Sequence, residues 1–172
     1  MKEALNDLIT RTSVKAYKPD MPPQDVIGRI VEAGTHAPTG MNRQSPIIIE
    51  VTDKATRDML SELNAAVMGG KGDPFYGAPV VLVVLADKSV GTYMYDGSLV
   101  MGNLLNAAHS EGLGACWIHR AKEVMQTPQG KALLEKLGIT GDYEGIGNCI
   151  IGYPAGDVPD VKPRKENWVY KI

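Results

Sequence analysis

Arg11, Thr12, Ser13 and Lys15 place two cations four residues apart, with two hydroxyls between them. Such a set can surround a phosphate, the cations supplying charge-assisted hydrogen bonds and the hydroxyls neutral ones. Cations near a helix end are also favoured by its dipole, so a solvated helix terminus is the alternative. A second basic run, Lys162-Pro163-Arg164-Lys165, lies near the other end of the chain. In a protein of net charge −2, both runs are most simply read as parts of one anion site, against a solvated tail for the second. A third group, Pro38-Thr39-Gly40-Met41-Asn42-Arg43-Gln44-Ser45-Pro46, is dense in turn formers and amides. Asn42 and Gln44 each carry a donor and an acceptor, which suits the edge of a heteroaromatic ring with alternating carbonyl and N–H groups. Amides that cap their own turn would look the same.

Other chemistries find no support. Gly112-Leu113-Gly114 lacks the third glycine of a dinucleotide fingerprint and precedes a strand instead of following one. Gly69-Gly70-Lys71 is followed by Gly72 where a phosphate-binding loop needs Ser or Thr. His36, His109 and His119 have no metal-ligand spacing, and no serine sits in a nucleophile elbow. Cys116 and Cys149 lie in apolar stretches without paired spacing and read as buried thiols. Nearly balanced charge and a pI near 5.9 argue against a nucleic-acid surface. The longest apolar run, Ala78 to Ala86, falls far short of the roughly 20 residues that cross a bilayer. Glu3 and Asp7 stand where a secretion signal would be cationic or apolar, so a cytoplasmic location is expected.

The elements that must hold these residues follow from pattern. A length of 172 residues with 44% hydrophobic content is one domain, taken as 1–172. Ala4, Leu5, Leu8 and Ile9 recur at helical spacing and lead into Arg11. Pro22-Pro23 opens a helix with stripe Val26, Ile27, Ile30 and Val31 that ends near Gly34. Pro38 and Pro46 keep 35–46 a loop; Ile47 to Val51 is a strand; Asp53 caps a helix to about Val67. Gly69 to Gly77 is expected to be a mobile connection, and Pro79 to Leu85 a central strand covered on both faces. A largely buried helix from Tyr93 to Glu111 stops at Gly112, and Gly114 to His119 is a strand. Thr127-Pro128 starts a helix that Gly138 ends, and Gly147 to Tyr153 is the last strand. The tail 158–172 ends in Trp168, Val169, Tyr170 and Ile172, an apolar surface that wants a partner. Because two helices come before any strand, a doubly wound nucleotide fold is not expected.

Arg11 to Lys15 is similar to the RRSxR opening of the FMN-dependent nitroreductase family. Ala37 to Pro46 resembles its APSxxNxQP loop, and Gly112 to Ile118 its GLGxCWI strand. Ile151-Gly152-Tyr153-Pro154 followed by Lys162-Pro163-Arg164 matches its closing pattern. The resemblance runs over nearly the whole chain. It implies an α+β fold, a central mixed or antiparallel sheet flanked by helices, and an intertwined homodimer with FMN in two interfacial clefts and a tail that wraps the partner. Arg11, Ser13, Lys15 and Arg164, with Lys162, would hold the phosphate and ribityl chain, and Thr12 would contribute near the ring. Pro38, Thr39, Met41, Asn42 and Gln44 would reach the flavin from the other subunit, and Trp117, Ile118 and His119 would line it. Thr12 and Lys15 stand where arginine is usual, and lysine lacks the bidentate fork.

The expected activity is hydride transfer from NADH or NADPH through FMN to a small acceptor, a nitroaromatic, a quinone or similar, in ping-pong fashion. The cofactor would carry the chemistry, which fits the lack of an acid or nucleophile that stands out. The alternatives are a non-catalytic flavin carrier or sensor, and a member of the same family that modifies flavin or dehalogenates aromatics.

Overall fold

The structure, a computed structural model, describes residues 2–172. Eight-residue α1 (Glu3–Thr10) and α2 (Gln24–Thr35) precede the first strand, β1 (Pro46–Val51). There follow α3 (Lys54–Val67), β2 (Val80–Asp87), α4 (Tyr93–Ser110) and β3 (Gly114–Ile118). The chain then forms α5 (Ala121–Gln126), α6 (Pro128–Lys136) and β4 (Tyr143–Gly152). Side-chain caps mark the starts that the sequence marks. Asp53 Oδ2 accepts the Thr56 N–H at 2.8 Å, and Thr127 Oγ1 accepts that of Gly130 at 3.0 Å ahead of Pro128.

The strands form one sheet in the order β1-β2-β4-β3, antiparallel at every pairing. Val80 to Ala86 is buried along its whole length because helices cover both faces of β2. Val81, Val83 and Leu85 pack with Leu60 of α3, Val124 and Met125 of α5, and Phe75. Val80, Leu82 and Val84 pack with Ile27 and Ile30 of α2 and Met101 and Leu104 of α4. The period-2 alternation of the strand thus divides one apolar run between two cores. The fold is α+β, and the sheet is the antiparallel alternative of the two expected.

Three local features differ from expectation. Strand β4 begins at Tyr143, four residues before Gly147, and its register shifts opposite Val84 and Leu85, leaving Ile146 as the extra residue. Gly145 and Gly147 are points of close approach. A Cβ at Gly145 would collide with the Ala121 backbone, and one at Gly147 with the Trp117 indole. Helix α5, which starts at that contact, is too short to show a periodic pattern.

The third difference is Gly69 to Gly77, which is not a loose connection. Asp73 accepts hydrogen bonds from Arg57 Nη2 at 2.6 Å, Ser61 Oγ at 2.5 Å, and the N–H groups of Phe75 at 2.9 Å and Gly77 at 2.7 Å. Phe75 is fully buried, with the Arg57 guanidinium 5.5 Å from its ring centre.

Residues 13–18 lie across the ends of β3 and β4. Ser13 forms a parallel bridge with Ala115, the Val14 N–H donates to the Ala115 carbonyl at 3.1 Å, and Tyr17 bridges Pro154. After the Ala155 N–H to Ala16 carbonyl bond, at 2.9 Å, the tail is exposed throughout. Among the described residues, no helix is long and apolar enough to cross a membrane.

Candidate functional site

The lacing of residues 13–18 carries Arg11 and Thr12 to the turn before β3. Together with His109, Gly112, Gly114 and Val158 they line a cavity of about 100 Å³. Arg11 Nη1 and Thr12 Oγ1 are shielded from solvent there and have no hydrogen-bond partner. Buried donors left unpaired each cost about 1–3 kcal/mol, so such atoms call for a partner from a water, a ligand or a second chain. His109 is a neighbour that the sequence did not nominate. Its Nε2 lies 2.9 Å from Thr10 Oγ1, whose proton faces the Asn6 carbonyl at 2.8 Å, so the ring nitrogen is the donor.

A second cleft, of about 360 Å³, opens at the far end of β3 and is bordered by Trp117, His119, Arg120, Lys122, Glu144 and Ile146. The Trp117 and His119 rings lie 6.5 Å apart, and Trp117 Nε1 is buried without a partner. Ile118 turns its side chain into the core beside α3 and α5. Two buried amides fix this strand end: Asn64 Nδ2 donates to the His119 carbonyl at 2.8 Å, and Asn148 Nδ2 to that of Ile118 at 3.2 Å. At the rim Lys122 and Glu144 pair at 2.9 Å, which holds the ammonium above and the carboxyl below their ordinary values. Arg120 has left-handed φ of 75°.

The amide loop is a third body. Pro38, Met41, Asn42 and Gln44 are exposed, Met41 to 84%, and Thr39 half-buried. Met41, Asn42 and Gln44 all take left-handed φ, at 55°, 54° and 49°. Thr39 Oγ1 accepts the Gln44 N–H at 3.1 Å, and Gln44 Nε2 reaches Asn42 Oδ1 at 3.3 Å. Beneath them Asp96, 2% exposed, holds Gly40 and Ser45. Asp96 was not legible as a site residue, because its loop partners, Gly40 and Ser45, lie over 50 positions away.

Within one chain these bodies stay apart. Arg11 and Thr12 share one cavity and Trp117 and His119 another, while Thr39 and Gln44 border a third with Ala37 and Ile47. Ser13 and Lys15 are exposed beside the first. Lys162 and Arg164 lie in the exposed tail and, among the described residues, make no hydrogen bond or ion pair with the Arg11 segment. Cys116 and Cys149 are buried free thiols, and burial pushes that of Cys149 well up, away from reactivity. Among the described residues no group of acidic, histidine and cysteine side chains could hold a metal.

The structure is a helix-covered antiparallel sheet of an α+β protein, with the Arg11 pocket at one end of β3 and the Trp117 cleft at the other. The chain belongs to the nitroreductase family, whose profile matches residues 8–155. It is 32% identical to an Archaeoglobus fulgidus protein named as a candidate NADH dehydrogenase/NAD(P)H nitroreductase, over 90% of this chain and 87% of that one. It is 28% identical to the Bacillus subtilis FMN reductase [NAD(P)H], over 95% of this chain and 70% of that protein. A nitroreductase with bound FMN from Bacteroides fragilis superposes with a TM-score of 0.89 over 100% of both chains, at 25% identity.

Proposed function

We propose that the protein is an FMN-dependent NAD(P)H oxidoreductase that reduces a small acceptor such as a nitroaromatic or a quinone. The observation that carries this is the pair of buried, unpartnered donors, Arg11 Nη1 and Thr12 Oγ1. A phosphate monoester supplies the acceptor oxygens and the negative charge that they lack. When bound, FMN would supply the hydride chemistry between the nicotinamide and the second substrate.

The residues of this chain have roles around that ligand. Arg11, Thr12, Ser13 and Lys15 hold the phosphate end, joined by Lys162 and Arg164. Trp117 and His119 would line the ring, together with the backbone of Ile118, whose side chain turns into the core and whose carbonyl Asn148 holds. Pro38, Thr39, Met41, Asn42 and Gln44 belong to the site as residues of a second copy, since in their own chain Thr39 and Gln44 border a different cleft.

A homodimer is supported by what one chain leaves uncovered. Leu5, Leu8 and Ile9 of α1 are each more than half exposed, as are Trp168, Val169 and Tyr170 of the tail. The test is the visible spectrum of the purified protein reconstituted with FMN, followed by anaerobic NADH or NADPH. Retained FMN that either nucleotide bleaches, and that an acceptor restores, is the expected result. Retained FMN that neither bleaches would make the protein a carrier.

A further inference from the structure

The loop from Gly40 to Ser45 has a physical difficulty. It sets three non-glycine residues in left-handed backbone, each at a cost of about 1 kcal/mol or more. It also leaves Met41 84% exposed, its sulfur 3.5 Å from Arg43 Nη2, with little burial to offset that cost. Something must over-determine this geometry.

One carboxylate does. Asp96 lies in the first turn of α4, 2% exposed. Its Oδ1 accepts the Gly40 N–H at 2.9 Å, and its Oδ2 accepts Ser45 Oγ at 2.8 Å and Thr92 Oγ1 at 3.0 Å. The first two bonds grip opposite ends of the loop, and the third fixes the carboxylate to its own helix. Gly40 is needed for the grip, because a Cβ there would run into the Thr92 side chain. Thr39 Oγ1, bonded to the Gln44 N–H, ties the loop a second time inside this clamp.

We propose that Asp96 is a positioning residue: its buried carboxylate clamps both ends of the 40–45 loop and so presents Asn42 and Gln44 to the flavin held by a second copy. This rests on the function proposed above. The carboxylate touches neither ligand nor substrate, and it acts only through the loop. Without it the loop relaxes out of left-handed backbone, and the amides lose their aim while the sheet and both cores stay intact.

The test is a mutant cycle in the FMN-reconstituted full chain, reading the FMN dissociation constant and kcat/KM for NADH. Asp96→Ala is expected to weaken FMN binding about tenfold, as the loss of two charge-assisted bonds would. The double variant Asn42→Ala/Gln44→Ala is expected to lose a similar factor. Asp96→Ala added to that double variant is then expected to do almost nothing more, because what the clamp aims has gone. Asp96→Asn keeps an acceptor for Gly40 and is expected to recover most of the affinity.

Multiplicative losses across the cycle, with the folded protein otherwise intact, would overturn the proposal, since Asp96 would then act on something other than the loop. Ser45→Ala removes one grip without leaving a charge unpaired and runs through the same cycle should Asp96→Ala not fold. A wild-type protein that binds no FMN overturns the functional reading and this inference together, whereas FMN binding with an additive cycle overturns this inference alone.

Discussion

Arg11 is the residue on which the proposed phosphate site rests, and its unpaired state in the chain sets the sign of its mutation. Nη1 is buried and unpaired, so removing the side chain relieves an unmet hydrogen bond instead of breaking one. Arg11→Ala is therefore expected to leave the melting temperature of the ligand-free protein unchanged or slightly raised. The same variant should weaken FMN binding by about 10- to 100-fold, the worth of a charge-assisted contact. Riboflavin, which lacks the phosphate, should bind both proteins alike; parallel fluorescence titrations check this, and an equal loss for both flavins would place Arg11 elsewhere. Arg11 was legible because local spacing with Thr12, Ser13 and Lys15 carries the signal. His109 and Asp96 were not, since a lone histidine or aspartate inside an apolar helix acquires meaning only from residues that the fold brings to it, Thr10 for one and Gly40 for the other.

At the scale of elements, pattern identified what has a period or a cap. β2, the Asp53 cap of α3 and the Pro128 start of α6 are of this kind. Pattern failed at glycines, whose reasons are tertiary. Gly145 lets the α5 backbone touch β4, so Gly145→Ala is expected to cost about 2 kcal/mol or more in urea unfolding through overpacking. A loss within about 0.5 kcal/mol would show that α5 shifts freely. Asp73 makes a closed turn of the glycine-rich stretch that composition marked as loose. Burial pushes its carboxyl up, but hydrogen bonds from Arg57, Ser61 and the Gly77 and Phe75 N–H groups outweigh this and hold it below its ordinary value. A carboxyl lowered by folding adds stability that is present above its unfolded value, near about 3.9, and is lost as pH falls through the folded one. Asp73→Asn should therefore flatten the fall in stability below about pH 4, seen as a smaller shift of the urea midpoint between neutral and acid pH. The variant should also lower stability at neutral pH, since it leaves the guanidinium of Arg57, only 10% exposed, short of a charged partner.

For the whole molecule, the order of helices and strands argued only against a doubly wound fold, the α+β class came from the family resemblance, and the completeness of the site was not readable, because one chain keeps the cationic pocket, the aromatic cleft and the amide loop in separate cavities. The tail joins two roles that can be taken apart. Its apolar end, with Trp168 65% and Tyr170 84% exposed, is suited to hold a second copy, while Lys162 and Arg164 are suited to reach a phosphate. Trp168→Ala/Tyr170→Ala removes the first and keeps the second. It is expected to shift sedimentation at low micromolar concentration toward monomer, and to weaken FMN binding only at concentrations where the dimer has dissociated. Lys162→Ala/Arg164→Ala does the reverse, leaving sedimentation unchanged while FMN affinity falls and loses part of its salt dependence, as expected when partly exposed charges are removed. Truncation after Pro159 combines both losses. If the truncated chain sediments as the full one does at every concentration, the tail does not hold the dimer, and the apolar side chains exposed elsewhere, among them Leu5, Leu8 and Ile9 of α1 and Tyr95 and Leu99 of α4, must account for any association.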